Sequence, residues 1–176
     1  MQAQTSCILI LVSLMLMAGC GQREEVVNMG GMNISSPSFS DGGRIPDKYT
    51  CKGENVSPRI DIIGIPDNAK SLAIVVDDPD APMKVWVHWL AWNITPISAI
   101  PEAELPQGSV EGVNDGGMHQ YNGPCPPPGS VHRYFFKVYA LDTMLDIGED
   151  SEKADLEKAM KGHVLAQATL VGTFSR

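Results

Sequence analysis

Two proline-rich turns constrain this chain most strongly, because each leads into an apolar segment that carries a histidine. The first turn, residues 77–82, precedes His88, and the second, residues 123–129, precedes His132. Proline fixes the backbone φ angle and lacks an amide donor, so neither turn can continue as a central strand. Rigid turns that feed strands can hold a few polar side chains together, which predicts a small pocket containing both histidines.

The rest of the pattern predicts a mostly β protein. Apolar and β-branched runs predict strands at residues 60–63, 71–76, 85–94, 134–141 and 165–174. The run at 85–94 is apolar almost throughout, which is typical of a strand covered on both faces. One helix is predicted from Ser151 to Lys161, with Ser151 as its N-cap and Gly162 at its end. Many strands and one late helix predict a β-sandwich with one or two peripheral helices.

The N-terminus resembles a bacterial lipoprotein signal. Residues 8–18 are apolar apart from one serine, which suits a signal peptide and is too short to span a bilayer. A lipobox-like sequence ends at Cys20, which predicts cleavage before Cys20 and lipid attachment to it. Residues 1–7 contain no Lys or Arg, so an ordinary secretory signal with an incidental Cys20 is the alternative. The predicted organisation is a lipoprotein signal peptide at 1–19, a lipidated tether at 20–35 and one folded domain at 36–176.

Charge and export narrow the expected partners and location. The chain has 13 Lys and Arg against 21 Asp and Glu, a net charge of −8, and none of these residues precedes Cys20. An acidic surface disfavours nucleic acid and adsorption to anionic lipid, so the lipid on Cys20 is the expected membrane contact. Gly21 stands where an aspartate is associated with inner-membrane retention. The prediction is an exported, membrane-anchored lipoprotein, in the outer membrane if the cell has two.

Two cysteines lie beyond the signal and lipobox, Cys51 and Cys125, each in a predicted loop beside the pocket. An exported protein meets an oxidising compartment, where pairing is favoured. A bridge across this span would add roughly 4 kcal/mol by restricting the unfolded chain. The sequence leaves two possibilities open, a disulfide or two buried free thiols.

The turns and their histidines also carry a family resemblance. Residues 78–82 with 86–88, followed by 123–127 and 132–134, resemble motifs of the phosphatidylethanolamine-binding protein family. The resemblance is greatest to its bacterial, Raf kinase inhibitor-like branch and runs from about Ser36 to the C-terminus. It implies an antiparallel, Greek-key-like β-sandwich with a ligand pocket at one edge.

The resemblance implies which residues form that pocket. Its polar groups would be Asp78, His88, His132 and Tyr134. Its walls would be shaped by five further residues, namely Pro82, Trp86, Gly123, Pro126 and Pro127. The family binds phosphate groups and phosphorylethanolamine, and the residue types fit, because histidine and tyrosine can donate to anionic oxygens and Asp78 can hold a histidine tautomer.

Simpler interpretations apply to several residues. His88 could be a satisfied histidine inside a strand, and Tyr134 and Trp86 certainly contribute to packing. The spacing of Asp80 suits a side chain that hydrogen-bonds the backbone of its own turn, so it is predicted to be structural. Asp77, just outside the motif, is predicted to be solvated.

Three functions are consistent with these residues. The first is a non-enzymatic binding protein for phosphate or a phosphorylethanolamine-like ligand. The alternative is an inhibitor or interaction module that docks on a protease, kinase or envelope protein through the proline-rich rim. A hydrolase is the third, but the chain has no Gly-x-Ser-x-Gly nucleophile motif. Two histidines and a carboxylate could hold a metal, yet no His-x-x-His spacing supports one, and no metal or cofactor is predicted.

Overall fold

The computed structural model describes Met29 and residues 31–176, and within these residues eight strands form two antiparallel sheets. The larger sheet contains, from edge to edge, β6 (Val110–Glu111), β4 (Trp86–Ile94), β3 (Ser71–Asp78), β7 (Val131–Leu141) and β8 (Val164–Ser175). The smaller sheet contains β1 (Asn33–Ser35), β2 (Ile60–Ile63) and β5 (Ala99–Ile100). The predicted mostly β, antiparallel class is confirmed. The predicted signal peptide, Cys20 and most of the predicted tether lie outside the described residues.

The main core lies between the two sheets, and the alternation along β3 shows why. Leu72, Ile74 and Val76 face the smaller sheet, whereas Ala73 and Val75 face the opposite side of the larger sheet. All eight residues of β3 are buried, because the larger sheet is covered on both faces. We call the side that faces the smaller sheet the inner side and the opposite side the outer side.

One α-helix, α1 (Lys153–Met160), covers the outer side, where Leu156 and Met160 are buried. A short 3₁₀ turn at Asp47–Tyr49 is the other helical piece. No helix of the described part of the chain is both long and apolar enough to cross a membrane. Helix α1 is the predicted late helix, and it covers the outer side of the larger sheet.

The predicted N-cap of α1 is wrong by one residue. Glu152, not Ser151, is the cap, because its backbone N–H donates to the Asp155 carboxylate at 3.2 Å in a capping-box arrangement. The carbonyl of Ser151 instead accepts the N–H of Val113. Gly162 follows the helix with φ +85°, as the prediction required.

Asp77 is buried, contrary to the prediction that it is solvated. Its position on β3 directs it to the outer side beneath α1, where none of its surface is exposed. Its carboxylate lies 3.1 Å from Lys137 Nζ and 2.5 Å from Lys153 Nζ. Asp77 therefore ties the helix to the sheet, while its neighbour Asp78 faces the inner side.

Candidate functional site

A pocket of about 260 Å³ opens where β3 ends and where β4 and β7 begin. The structure brings all nine predicted pocket residues to its lining, namely Asp78, Pro82, Trp86, His88, Gly123, Pro126, Pro127, His132 and Tyr134. Ala81, Asn122 and Cys125 complete the lining. The two proline turns therefore meet as predicted, and the binding role of these residues stays a prediction.

His88 enters the pocket because β4 is irregular at this point. Val76 pairs with Trp89, and the next residue, Asp77, pairs with Val87, so His88 is an extra residue on β4. Such a bulge interrupts the alternation of a strand and re-aims its side chains. Trp89 packs in the inner core and Val87 in the outer one, while His88 between them faces the pocket. Strand periodicity alone could not indicate this direction.

His132 and Tyr134 reach the pocket by regular alternation along β7, on the same side as Phe136. The strand begins at Val131 rather than at the predicted Tyr134, because its pairing with β8 extends to Ser175. His132 therefore lies in a strand that is hydrogen-bonded to its neighbour, which fixes the backbone beneath the pocket.

The carboxylate of Asp78 fixes the ring of His132. Nδ1 of His132 lies 2.7 Å from Oδ2 of Asp78, and both side chains are almost fully buried. Oδ1 of Asp78 accepts the backbone N–H of Asp80 at 2.8 Å, so both carboxylate oxygens are engaged. Since Nδ1 is occupied by the carboxylate, Nε2 is the ring nitrogen of His132 left for a ligand.

A backbone carbonyl fixes the ring of His88. Nδ1 lies 2.5 Å from the carbonyl oxygen of Asn122, which can only accept, so Nδ1 carries the proton and Nε2 carries a lone pair. Burial lowers the pKa of His88 below its ordinary value of 6.5, although this hydrogen bond and the charge of Asp78 oppose the shift. Asn122 could not be predicted from the sequence, because its contribution is a main-chain oxygen in a loop.

The hydroxyl of Tyr134 is buried near the carboxylate of Asp78 but makes no hydrogen bond of good geometry with any described residue. Its ring packs edge-on against His88, with the ring centroids 5.2 Å apart. Burial first, and then the charge of Asp78, raise the pKa of Tyr134 above its ordinary value of 10, so the hydroxyl keeps its proton. Buried polar groups are nearly always paired, so this hydroxyl is available to donate to a molecule that enters the pocket.

Asp80 ties the first turn to the start of β7. Its carboxylate accepts the backbone N–H of Arg133 at 2.9 Å, Nε at 2.8 Å and Nη2 at 2.7 Å. These bonds to Arg133 lower the pKa of Asp80. The prediction that Asp80 is structural fits this arrangement, but its predicted partner is wrong, because Asp78 makes the bond within the turn.

Cys51 and Cys125 form a disulfide, with their Cα atoms 5.4 Å apart. Both residues are exposed, and Cys125 lines the pocket. The N–H of Cys51 also donates to the carbonyl of Pro124 at 3.1 Å. The bridge therefore fixes the second proline turn onto the loop at 50–55, and the alternative of two buried free thiols is wrong.

Gly123 allows the second proline turn to pack closely against residues 49–55. A Cβ atom at this position would lie 2.3 Å from the carbonyl oxygen of Tyr49, too close for any side chain. Its N–H donates to the side-chain oxygen of Asn55 at 2.8 Å. Close packing against residues 49–55 therefore requires glycine at position 123.

The pocket holds little charge. Among the described residues that line it, Asp78 is the one carboxylate, and neither lysine nor arginine is present. The described part of the chain also contains no cluster of three His, Cys, Asp or Glu placed to hold a metal ion. Positive charge inside the pocket must therefore come from a protonated histidine or from the ligand.

Residues 35–175 match the family model for phosphatidylethanolamine-binding protein. A protein of Methanothermobacter thermautotrophicus designated UPF0098 is 54% identical over 151 residues, which cover 82% of this chain and 99% of that protein. A UPF0098 protein of Pyrococcus horikoshii is 47% identical over 178 residues, which cover 96% of this chain and 88% of that protein.

Two crystal structures are similar over most of the chain. One, from Chlamydia trachomatis and described as a homologue of phosphatidylethanolamine-binding protein, has a TM-score of 0.79 and 39% identity, covering 84% of this chain and 99% of its own. The other, Escherichia coli YbcL, described as a member of the mammalian PEBP family, has a TM-score of 0.78 and 30% identity, covering 82% and 98%. The sequence match, the shared fold and these relatives show that the chain belongs to the phosphatidylethanolamine-binding protein family.

Proposed function

We propose that this protein is a non-enzymatic binding protein whose pocket holds the phosphate group of a small ligand such as phosphorylethanolamine. The observation that carries the proposal is the buried hydroxyl of Tyr134, which makes no hydrogen bond of good geometry and lies beside Nε2 of His88 and of His132. A phosphate oxygen would accept from the hydroxyl and thereby satisfy it. The family to which the chain belongs supports a ligand of this kind.

The size and walls of the pocket favour a small ligand with a polar end. Its volume of about 260 Å³ falls below the range of about 300–1,000 Å³ that is usual for drug-sized ligands. The rim consists of Trp86 and prolines, which can contact the carbon chain of a headgroup. The face of Trp86 could also attract an ammonium group.

The lining favours binding over catalysis. Among the described lining residues there is no serine, threonine or lysine, and Cys125 is held in a disulfide. Tyr134 keeps its proton and is a poor nucleophile. The described lining therefore offers no serine, threonine, lysine or free cysteine as a nucleophile, which supports a binding role.

Calorimetric titration of the full-length protein with phosphorylethanolamine tests the proposal. We expect saturable binding to one site and a loss of about tenfold or more in affinity for His88→Ala, which removes one of the three polar groups. Met83→Ala is the matched control, because Met83 is 96% exposed and does not line the pocket. Unchanged affinity in His88→Ala would contradict the assigned role of this histidine.

We also propose that the protein is a lipoprotein of the bacterial type, exported and anchored through lipid on Cys20, in an outer membrane if the cell has two. The lipobox-like sequence that ends at Cys20 supports this. Two acyl chains hold a protein firmly on a bilayer. Cys20→Ala should move the protein from the membrane fraction to the soluble one, and mass spectrometry should find a lipid adduct only on the parent chain. A variant that stays with the membrane would contradict the anchor.

A second candidate function is an inhibitor or interaction module that uses the rim. Met83 is 96% exposed and Val131 is 66% exposed, and each is the chain neighbour of a residue that lines the pocket, Pro82 or His132. Stiff, exposed turns lose little entropy on docking. Inhibition of a protease or kinase that disappears in Met83→Asp, with phosphorylethanolamine affinity unchanged, would support this function over the first.

A further inference from the structure

We propose that the disulfide between Cys51 and Cys125 is a reactive site, at which a small thiol forms a mixed disulfide with Cys51 and releases Cys125 as a thiolate. The co-reactant is a low-molecular-weight thiol of the glutathione or cysteine type. This reactivity does not depend on phosphate binding. It follows from the unequal electrostatic surroundings of the two sulfur atoms.

The bridge lies at the surface, where a thiol can reach it. Cys51 and Cys125 are both exposed residues, the first in the loop at 50–55 and the second in the second proline turn. An exposed disulfide exchanges with thiols more readily than one buried in a core. Access alone, however, does not favour attack on one sulfur over the other.

A cation contacts one sulfur of the pair. Nη1 of Arg176 lies 3.6 Å from Sγ of Cys125 and donates to it. The strand pairing explains this contact, because Ser175 pairs with Val131, so the residue after β8 emerges beside the start of β7 and the pocket. Within the described part of the chain, Sγ of Cys51 has no such donor. The two sulfurs therefore differ in how well each could carry a negative charge.

The positive charge of Arg176 is not offset by an acidic side chain. Among the described residues, Arg176 makes no ion pair with an aspartate or glutamate, so its guanidinium acts on the sulfur. Two further cations, Lys52 and Arg44, lie over the ring of Phe174, 5.7 Å and 5.1 Å from its centroid. Their charges attract an anionic thiolate to this part of the surface. Since they contact the ring, they do not distinguish the two sulfurs as Arg176 does.

The reaction is a thiol–disulfide exchange. The small thiol gives its proton to solvent, and its thiolate sulfur attacks Sγ of Cys51 to form a new S–S bond. The bond to Cys125 breaks, and its electron pair leaves on Sγ of Cys125, so the small thiol is oxidised and Cys125 is reduced. A more stable leaving thiolate leaves faster. Because Arg176 stabilises negative charge on Cys125, Cys51 is the sulfur that is attacked.

Hydrogen bonds keep the two loops together when the bridge opens. The N–H of Cys51 donates to the carbonyl of Pro124 at 3.1 Å, and the N–H of Gly123 donates to the side-chain oxygen of Asn55 at 2.8 Å. The thiolate of Cys125 therefore stays close to the modified Cys51, where it can attack the mixed disulfide, expel the small thiol and restore the bridge. The modification is reversible, and it changes the pocket wall to which Cys125 belongs.

Mass spectrometry of the full-length protein after exposure to reduced glutathione tests the proposal. The reaction is stopped at low conversion, free thiols are alkylated with N-ethylmaleimide, and peptides show which cysteine carries glutathione and which carries the alkyl group. We expect about tenfold or more glutathione on Cys51 than on Cys125. Similar amounts on the two cysteines, an excess on Cys125, or no adduct at millimolar glutathione would overturn the proposal.

Three variants locate the cause. Arg176→Gln removes the cation from Cys125, so the ratio of Cys51 adduct to Cys125 adduct should fall to within about threefold. Arg176→Lys keeps the charge and should keep most of the preference. Arg44→Gln is the matched control, because it removes the same charge over Phe174 rather than at a sulfur, and the ratio should not change. A ratio in Arg176→Gln equal to that of the parent would overturn the role assigned to Arg176.

Discussion

At the scale of single residues, a substitution of Tyr134 should weaken ligand binding without lowering the stability of the fold. Its buried hydroxyl makes no hydrogen bond of good geometry with any described residue, so Tyr134→Phe removes a poorly satisfied polar group. We expect the free energy of unfolding to stay equal or to rise by about 1 kcal/mol, and the affinity for phosphate to fall about tenfold. Urea denaturation and calorimetry measure the two quantities. A destabilised variant with unchanged affinity would contradict this view of the hydroxyl.

His88 should make the stability of the protein depend on pH. Its folded pKa is below the unfolded value of 6.5, so its contribution is present above pH 6.5 and is lost as pH falls towards the folded pKa. Between pH 7.5 and 5.5, in phosphate-free buffer, the parent should lose up to about 1.4 kcal/mol more than His88→Gln. Denaturant titrations at the two pH values check this. An equal loss in both proteins would show that His88 is not held neutral by the fold.

Single residues also show where the sequence stops being informative. That His132 and Tyr134 line one pocket was implied by the family resemblance of residues 132–134, and the alternation of β7 explains why both face it. The role of Asn122 could not be predicted, because it provides a main-chain oxygen that any residue could supply. The burial of Asp77 was missed because its lysine partners lie 60 and 76 residues further along the chain.

At the scale of elements, the disulfide connects the second proline turn to the loop that follows the 3₁₀ turn. The two cysteines are 74 residues apart, so losing the bridge should lower the free energy of unfolding by roughly 4 kcal/mol on the chain-entropy model. Reduction of the parent, or the double variant Cys51→Ser with Cys125→Ser, should show this loss in denaturant titrations. Affinity for phosphate should fall as well, because Cys125 is part of the pocket wall.

The double variant is also the control for the disulfide prediction. A reducing agent should destabilise the parent and leave the variant unchanged. If the parent is equally stable with and without reductant, the bridge does not contribute to the fold as described.

The contact between α1 and the sheet depends on one buried carboxylate. Asp77→Asn leaves Lys137 and Lys153 without this charge, and breaking a buried pair from one side costs about 3–5 kcal/mol. Glu157→Gln is the matched control, because Glu157 lies 3.7 Å from Lys153 and is half exposed, so its loss should cost about 1 kcal/mol or less. Thermal or urea unfolding measures both. Equal effects of the two variants would contradict the buried pair.

The long strands could be predicted from the sequence, whereas the short ones could not. Apolar runs were enough to predict β2 and, within one to three residues, β3, β4, β7 and β8. The short strands β1, β5 and β6 have two or three residues each and no pattern of their own, so only pairing defines them. The bulge at His88 was missed because it depends on the register between two strands rather than on either sequence.

At the scale of the whole molecule, the fold brings two distant turns to one edge of the larger sheet. Asp78, His88 and His132 come from three neighbouring strands, and the antiparallel order β4-β3-β7 places the end of one beside the starts of the other two. The fold class could be predicted from the strand patterns, and the set of pocket residues was implied by the family resemblance of two local motifs. The direction of each ring nitrogen, which decides the ligand chemistry, required the assembled structure.

The most direct test of the account is an NMR titration of the full-length protein with inorganic phosphate, following the ring nitrogens of His88 and His132. The account predicts that free His88 shows a protonated Nδ1 and an unprotonated Nε2. It also predicts saturable shifts at Nε2 of both rings as phosphate is added. No shift at either ring at millimolar phosphate would contradict the central claim that these histidines form one phosphate pocket.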